Sequence, residues 1–220
     1  MKHINIAIDG PAGAGKSTVA KEIAKQKKII YLDTGAMYRA IALKAIRCGF
    51  NIKEEIDKII QMLDITEISI VYQEENQNIF LDEENVTCLI RAPIVSQGAS
   101  DIAVIPEVRL KMVEQQRKIA QDHDVVMDGR DIGTYVIPNA SYKFYITASI
   151  EERARRRWLE MQEMGYAKTI DEIMADIEIR DYNDKNRSFA PLCKADDAVL
   201  IDTSFLSIQD VIQVVLHEIQ

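Results

Sequence analysis

Between the apolar, strand-like stretch Ile4-Asn5-Ile6-Ala7-Ile8 and a segment with Val19, Ala20, Ile23 and Ala24 at helical spacing lies Gly10-Pro11-Ala12-Gly13-Ala14-Gly15-Lys16-Ser17. The octet is a complete G-x-x-x-x-G-K-[ST] phosphate-binding loop, and strand, glycine loop and helix in succession are the context it requires. Glycines let the backbone wrap so that its N–H groups face an anion, and the helix N-terminus adds positive potential. Lys16 is then placed to reach the β- and γ-phosphates and the Ser17 hydroxyl to ligate Mg²⁺, with Thr18 next in the same turn. A glycine-rich turn would need neither Lys16 nor Ser17, and a chance match in such a chain is on the order of one in a hundred. The loop therefore commits the chain to a nucleoside triphosphate site at the end of a sheet strand.

Four further apolar segments have strand character: Ile29 to Leu32, Val125 to Met127, Tyr142 to Ile146 and Ala198 to Ile201. Helical patterns fall between and after them, over 36–48, 101–121, 151–164, 170–183 and 207–219. This alternation predicts a three-layer α/β fold, with a central five-stranded parallel sheet covered on both faces. Ligands of such sheets bind beyond the carboxyl ends of the strands, where the sequence places 10–17, Asp33 to Arg39 and Asp128 to Asp131. Two stretches interrupt the alternation. Ile68 to Tyr72 and Ile79 to Leu81, separated by Glu74-Glu75-Asn76-Gln77-Asn78, predict a β-hairpin inserted at 66–90. The charged helical stretch 151–190, broken at Gly165-Tyr166, reads as a lid over the phosphate site.

At 220 residues the chain fits one such domain. Its net charge of −8 argues against a nucleic-acid or anionic-membrane surface. Three dispersed cysteines, Cys48, Cys88 and Cys193, fit free thiols in a reducing compartment. No apolar run has the length of a membrane span, and the first strand begins too early for a secretory leader. A cytoplasmic protein, most simply a monomer, is the expectation.

The remaining signals are local. Asp33 or Thr34 can cap the helix that follows, and Arg39 on its first turns can join hydroxyl and backbone N–H groups around a second anion. Asp128, at the end of the third strand, can hold Mg²⁺ through water, and Arg130 adds a fork for phosphate or carboxylate, although an Asp/Gly-rich turn explains the same residues. Arg153, Arg156 and Arg157 share a helix face, Arg155 points elsewhere, and Arg180 and Arg187 lie two helical turns apart. So many arginines in an acidic chain call for an anion besides the triphosphate. A phosphate-monoester acceptor is already ionised, with pKa₂ of about 6, and needs no general base. An alcohol acceptor would need a positioned carboxylate.

Taken together the residues resemble the bacterial cytidylate kinases of the nucleoside monophosphate kinase family, essentially from end to end. The resemblance rests on Asp9-Gly10-Pro11, Leu32 to Arg39, Ser96 to Ser100, Pro106 to Arg109, Asp128 to Thr134, Ala148 to Arg157, and Asn186-Arg187 with Ala190-Pro191-Leu192. It implies a P-loop kinase fold with core 1–35, 99–150 and 191–220, a monophosphate-binding region 36–98 and a lid 151–190. It implies transfer of the γ-phosphoryl group of ATP, with Mg²⁺, to CMP or dCMP. By matching positions, Ser100, Arg109 and Asp131 would meet the cytosine edge and Asp184 the ribose hydroxyls. Thr34, Arg39, Arg130 and Arg187 would surround the acceptor phosphate, Arg180 would lie near the transferring group, and Arg153 and Arg157 would close from the lid. Kinases of the same architecture acting on UMP, AMP or a shikimate-like alcohol are the nearest alternatives. A regulatory GTPase is disfavoured, since Asn183-Asp184-Lys185-Asn186 lacks the N-K-x-D order.

Overall fold

A computed structural model describes residues 3–73 and 76–219. Strand β1 (Asn5–Asp9) runs into the phosphate loop and helix α1 (Lys16–Lys27), followed by β2 (Ile30–Asp33) and α2 (Thr34–Arg47). Helix α3 (Ile56–Asp64) then leads to β3 (Ile68–Gln73), β4 (Asn76–Leu81) and β5 (Glu84–Asn85). After one 3₁₀ turn come α4 (Pro93–Ile102), α5 (Pro106–Asp122) and β6 (Val125–Gly129). A π-helical turn (Ile132–Val136) precedes β7 (Tyr142–Thr147), α6 (Ile150–Glu163), α7 (Ile170–Asn186), β8 (Val199–Asp202) and α8 (Ile208–Glu218).

The five-stranded sheet has the order β2-β6-β1-β7-β8, and every pairing in it is parallel. Its register decides where chemistry collects. Asp33 lies opposite Asp128, Asp9 opposite Gly129, and Thr147 opposite Asp202, so the carboxyl ends of the strands form one acidic edge. Both faces are covered, by a large apolar cluster around α2, α4 and α5 and a second around α1 and α8. Such double burial explains why the strands read as continuous apolar runs rather than alternating ones. Among the described residues no helix is long and apolar enough to cross a membrane.

The expected helix over 101–121 is corrected. Residues 101–102 end α4, and α5 begins only at Pro106. Proline lacks the N–H that a helix interior needs but fits a first helical position, and it holds Ile105 extended at φ −78°, ψ 117°. Neither α3 nor α4 was anticipated as a separate helix. The hairpin is present as an antiparallel sheet of order β3-β4-β5, but Gln77 and Asn78 belong to strand β4 rather than to its turn. Of the expected turn, Glu74 and Glu75 lie outside the described residues. The break between the charged helices falls as expected, with Gly165 at φ 80° after α6.

Candidate active site

At Gly10 the phosphate loop passes so close to β7 that no side chain fits. A Cβ on Gly10, at φ +145°, would sit 1.9 Å from the Ile146 carbonyl oxygen. Gly15 caps α1 with φ 88° and no side-chain bond, which leaves the first N–H groups of the helix free for an anion. Lys16 Nζ donates to the Pro11 carbonyl at 2.7 Å. Burial, and then the charge of Arg130, lower the Lys16 pKa to about 7.

Beside the loop, Ser17 Oγ donates to Asp128 Oδ2 at 2.7 Å, and Tyr31 OH donates to Asp128 Oδ1 at 2.9 Å. Burial, then the neighbouring Asp33, raise the pKa of Asp128. Hydroxyl and carboxylate oxygens one hydrogen bond apart are the hard donors that Mg²⁺ takes. No group of three or more His, Cys, Asp or Glu among the described residues could hold a metal. A cation here would therefore complete its shell with phosphate oxygens and water, as Mg²⁺ commonly does.

A second set of side chains starts at the next strand end. Asp33 caps α2, accepting from Ala36 N at 2.9 Å, and pairs with Arg39 at 2.7 Å and Arg91 at 3.5 Å. Burial opposes its ionisation, but Arg39 and Arg91 hold its pKa below the usual carboxylate range. Thr34 Oγ1 donates to the Asp128 carbonyl at 2.7 Å. Across the cleft, Arg130 Nε donates to Asp184 at 2.7 Å, while Asp131 accepts from Arg109 at 2.5 Å and from Arg187 at 3.1 Å. Arg109 is only 1% exposed, with its guanidinium carbon 5.6 Å and 5.7 Å from the ring centres of Tyr38 and Phe189. Two buried polar groups there, Ser100 Oγ and Arg109 Nε, lack partners among the described residues.

These elements line one open cleft, part of a continuous depression of about 3310 Å³ that also extends past α1 to His123 and Asp124. Its walls include Ala12 to Thr18, Thr34, Arg39, Ser100, Arg109, Arg130, Asp131, Arg157, Arg180, Asp184 and Arg187. Gly10, Pro11 and Arg153 lie behind that surface. The shared arginine face of α6 divides among three destinations. Arg153 Nε donates to the Ala148 carbonyl at 3.0 Å and its Nη1 to the Ala12 carbonyl at 3.2 Å, with Asp181 paired at 2.8 Å. Near the start of α6 its side chain points back toward the helix N-terminus, so it braces the helix against the phosphate loop rather than reaching into the cleft. Arg156 bonds Thr203 through Nη1 at 3.0 Å and Nη2 at 2.8 Å, and Arg157 lies beside Glu160; Arg155, Arg156 and Arg157 all border the cleft.

A profile of the cytidylate kinase family matches residues 6–220. The chain belongs to the cytidylate kinase family. It is 52% identical to the cytidylate kinase of Caldicellulosiruptor saccharolyticus over 218 residues, covering 99% of this chain and 96% of that one. The cytidylate kinase of Clostridioides difficile is 47% identical, with 100% and 99% covered. Among solved structures, an uncharacterized protein from Eubacterium ventriosum shares the fold, with a TM-score of 0.54 at 14% identity over 99% of this chain and 98% of that one.

In this member of the cytidylate kinase family, several residues in or beside the cleft have roles that the sequence does not reveal. Asp9 accepts from Ile132 N at 2.8 Å and Gly133 N at 2.7 Å, which fixes the π-helical turn next to Asp131. Burial raises its pKa to about 6 against these bonds. Its place ahead of the phosphate loop was the only available signal. Tyr31 reads as a plain strand residue, and Arg91 and Gln77 fall in segments whose position over the cleft no local pattern reveals.

Proposed function

We propose that this cytidylate kinase family member transfers the γ-phosphoryl group of ATP to CMP or dCMP, giving ADP and CDP or dCDP. One observation carries the reading. A single cleft holds the phosphate loop at one end and the buried Ser100–Arg109–Asp131–Arg187 cluster at the other, with Arg39, Arg130 and Arg180 between. Cytosine presents an N4 amine donor beside O2 and N3 acceptors. Asp131 supplies an acceptor for the amine, and Ser100 and Arg109 supply donors for the other atoms. Asp184 is the acceptor for ribose hydroxyls.

The acceptor's chemistry follows from what the carboxylates are doing. Asp33, Asp131 and Asp184 are each paired with arginines, and Asp128 is held between Ser17 and Tyr31. None of the arginine-paired groups is free to take a proton from an alcohol, whereas a phosphate monoester arrives already ionised. Lys16, Arg130, Arg180 and Arg187, joined by Arg157, meet the charge shared between donor and acceptor phosphates, and positioning plus neutralisation is the main work of phosphoryl transfer. Ser17 and Asp128 would hold Mg²⁺, which would supply positive charge to neutralise the phosphates of ATP. Steady-state assays with ATP and CMP, dCMP, UMP, AMP or shikimate test the assignment. The expected order places CMP and dCMP far ahead in kcat/KM, and a higher value for any of the other three refutes it.

A further inference from the structure

One wall of the cleft belongs to the hairpin insert. Along β4, Gln77, Ile79 and Leu81 alternate onto the same face. Ile79 and Leu81 are 1% and 2% exposed, so this face packs on the core, and Gln77 is a polar residue at the end of an apolar row. Its amide oxygen accepts from Asp33 N at 2.7 Å. A backbone N–H can only donate, so the contact fixes the amide orientation and turns the NH₂ group the other way. That nitrogen is buried without a partner among the described residues, although Gln77 lines the cleft.

The Asp33 carboxylate is already occupied. Asp33 Oδ1 accepts from Ala36 N, and Oδ2 is held by Arg39 and Arg91. Buried donors in folded proteins almost always have partners, so an orphan in a binding cleft marks the place of an atom on the ligand. The surroundings specify its charge: the N-terminus of α2 begins at Thr34, with Gly35 and Arg39 on its first turns.

We infer that Gln77 is a phosphate-binding residue supplied by the hairpin insert. Its amide N–H donates to an oxygen of the acceptor nucleotide's phosphate, while its carbonyl holds Asp33 and with it the start of α2. This rests on the reading of CMP as the acceptor. It also gives the insert a function at the site: β4 is held in register with β3 over six residue pairs, from Ile68↔Leu81 to Gln73↔Asn76, and presents one donor from a fixed frame.

Calorimetric titration of the wild type, Gln77→Glu and Gln77→Leu with CMP and with cytidine, each variant checked for folding by circular dichroism, tests the inference. Gln77→Glu keeps an oxygen for Asp33 N but sets a negative oxygen against the phosphate. CMP affinity should fall by roughly tenfold or more in Gln77→Leu, and further in Gln77→Glu, as for hydrogen bonds to charged groups. Cytidine affinity of Gln77→Glu should stay at the wild-type value. If Gln77→Glu binds CMP as the wild type does, Gln77 only props Asp33, and the inference fails while the kinase reading stands. An equal loss of CMP and cytidine binding places the donor on the nucleoside and also overturns it. A wild type that binds no CMP removes both. Should Gln77→Leu not fold, Gln77→Glu alone decides.

Discussion

Asp131→Asn is the substitution in which fold and function are most closely joined. The Asp131 carboxylate separates two buried guanidiniums, 2.5 Å from Arg109 and 3.1 Å from Arg187, whose side chains are 1% and 3% exposed. Asparagine keeps one acceptor oxygen but turns an N–H toward one of the arginines and leaves both positive charges without their shared counter-ion. Breaking a buried ion pair from one side costs ~3–5 kcal/mol. Because one hydrogen bond survives, about 3 kcal/mol is the appropriate figure, and at ~2–4 °C per kcal/mol for a chain of this size Tm should fall by about 6–12 °C. Base reading is a separate effect. An amide can donate to the uracil O4 as well as accept from the cytosine amine, so the preference for CMP over UMP should shrink by ~1–3 kcal/mol, as for other base-edge pairs. Global destabilisation lowers the active fraction equally for both acceptors and cancels in the ratio of their kcat/KM values. Thermal denaturation followed by circular dichroism, together with that ratio measured well below the transition, separates the two effects. A lowered Tm with an unchanged CMP/UMP ratio would reduce Asp131 to a counter-ion for Arg109 and Arg187, and an unchanged Tm would contradict the burial of the triad.

Lys16, whose pKa burial and Arg130 lower to about 7, should regain its charge on meeting a triphosphate. ATP binding near pH 8 should then take up about one proton, seen as a buffer-dependent binding enthalpy that Lys16→Met removes along with turnover; uptake persisting in Lys16→Met assigns the proton elsewhere. Because the unfolded chain carries that proton between the folded value and the ordinary lysine value of 10.5, wild-type stability should rise relative to Lys16→Met as pH increases through this window. Among the arginines of α6, Arg157→Ala should lower kcat by something like 10²-fold, the usual cost of a lost transition-state donor, with ground-state affinities changed less. Arg155→Ala, which breaks only an exposed pair with Glu152, should behave as wild type, and equal effects in both would deny Arg157 its role.

The sequence was most legible where one short stretch determines both backbone and chemistry. The phosphate loop announces a strand before it and a helix after it, and helical crossovers then make the sheet parallel, bringing Asp33, Asp128 and Asp9 to one edge. It was least legible where the determinant is a distant neighbour. Gln77 and Asn78 sit in a polar run that resembles a turn, and only pairing with Tyr72 and Val71 makes them strand. Helical spacing put Arg153, Arg156 and Arg157 on one face correctly, but a face faces several things. Arg153 goes to the Ala12 carbonyl, Arg156 bonds Thr203 while still bordering the cleft, and Arg157 lines the cleft, and no periodicity distinguishes them.

The pairing of arginines with carboxylates bears on how the cleft works before any nucleotide arrives. Several guanidiniums close together would repel one another and shift out of position. Asp33 with Arg39, Asp184 with Arg130, and Asp131 with Arg109 and Arg187 hold them instead in fixed directions. An incoming phosphate thus meets donors that need little reorganisation, the condition under which electrostatic stabilisation is most effective. Arg180 is the exception. Its buried Nε has no hydrogen-bond partner among the described residues, and burial followed by the charge of Arg130 lowers its pKa to about 10, against a pull from Asp184. A cation so poorly compensated gains more from an approaching anion than its paired neighbours do, since it gives up no carboxylate bond to make the new contact. The gain grows with the negative charge it meets, so under the proposed reaction Arg180 would favour the transferring phosphoryl over either bound nucleotide at rest.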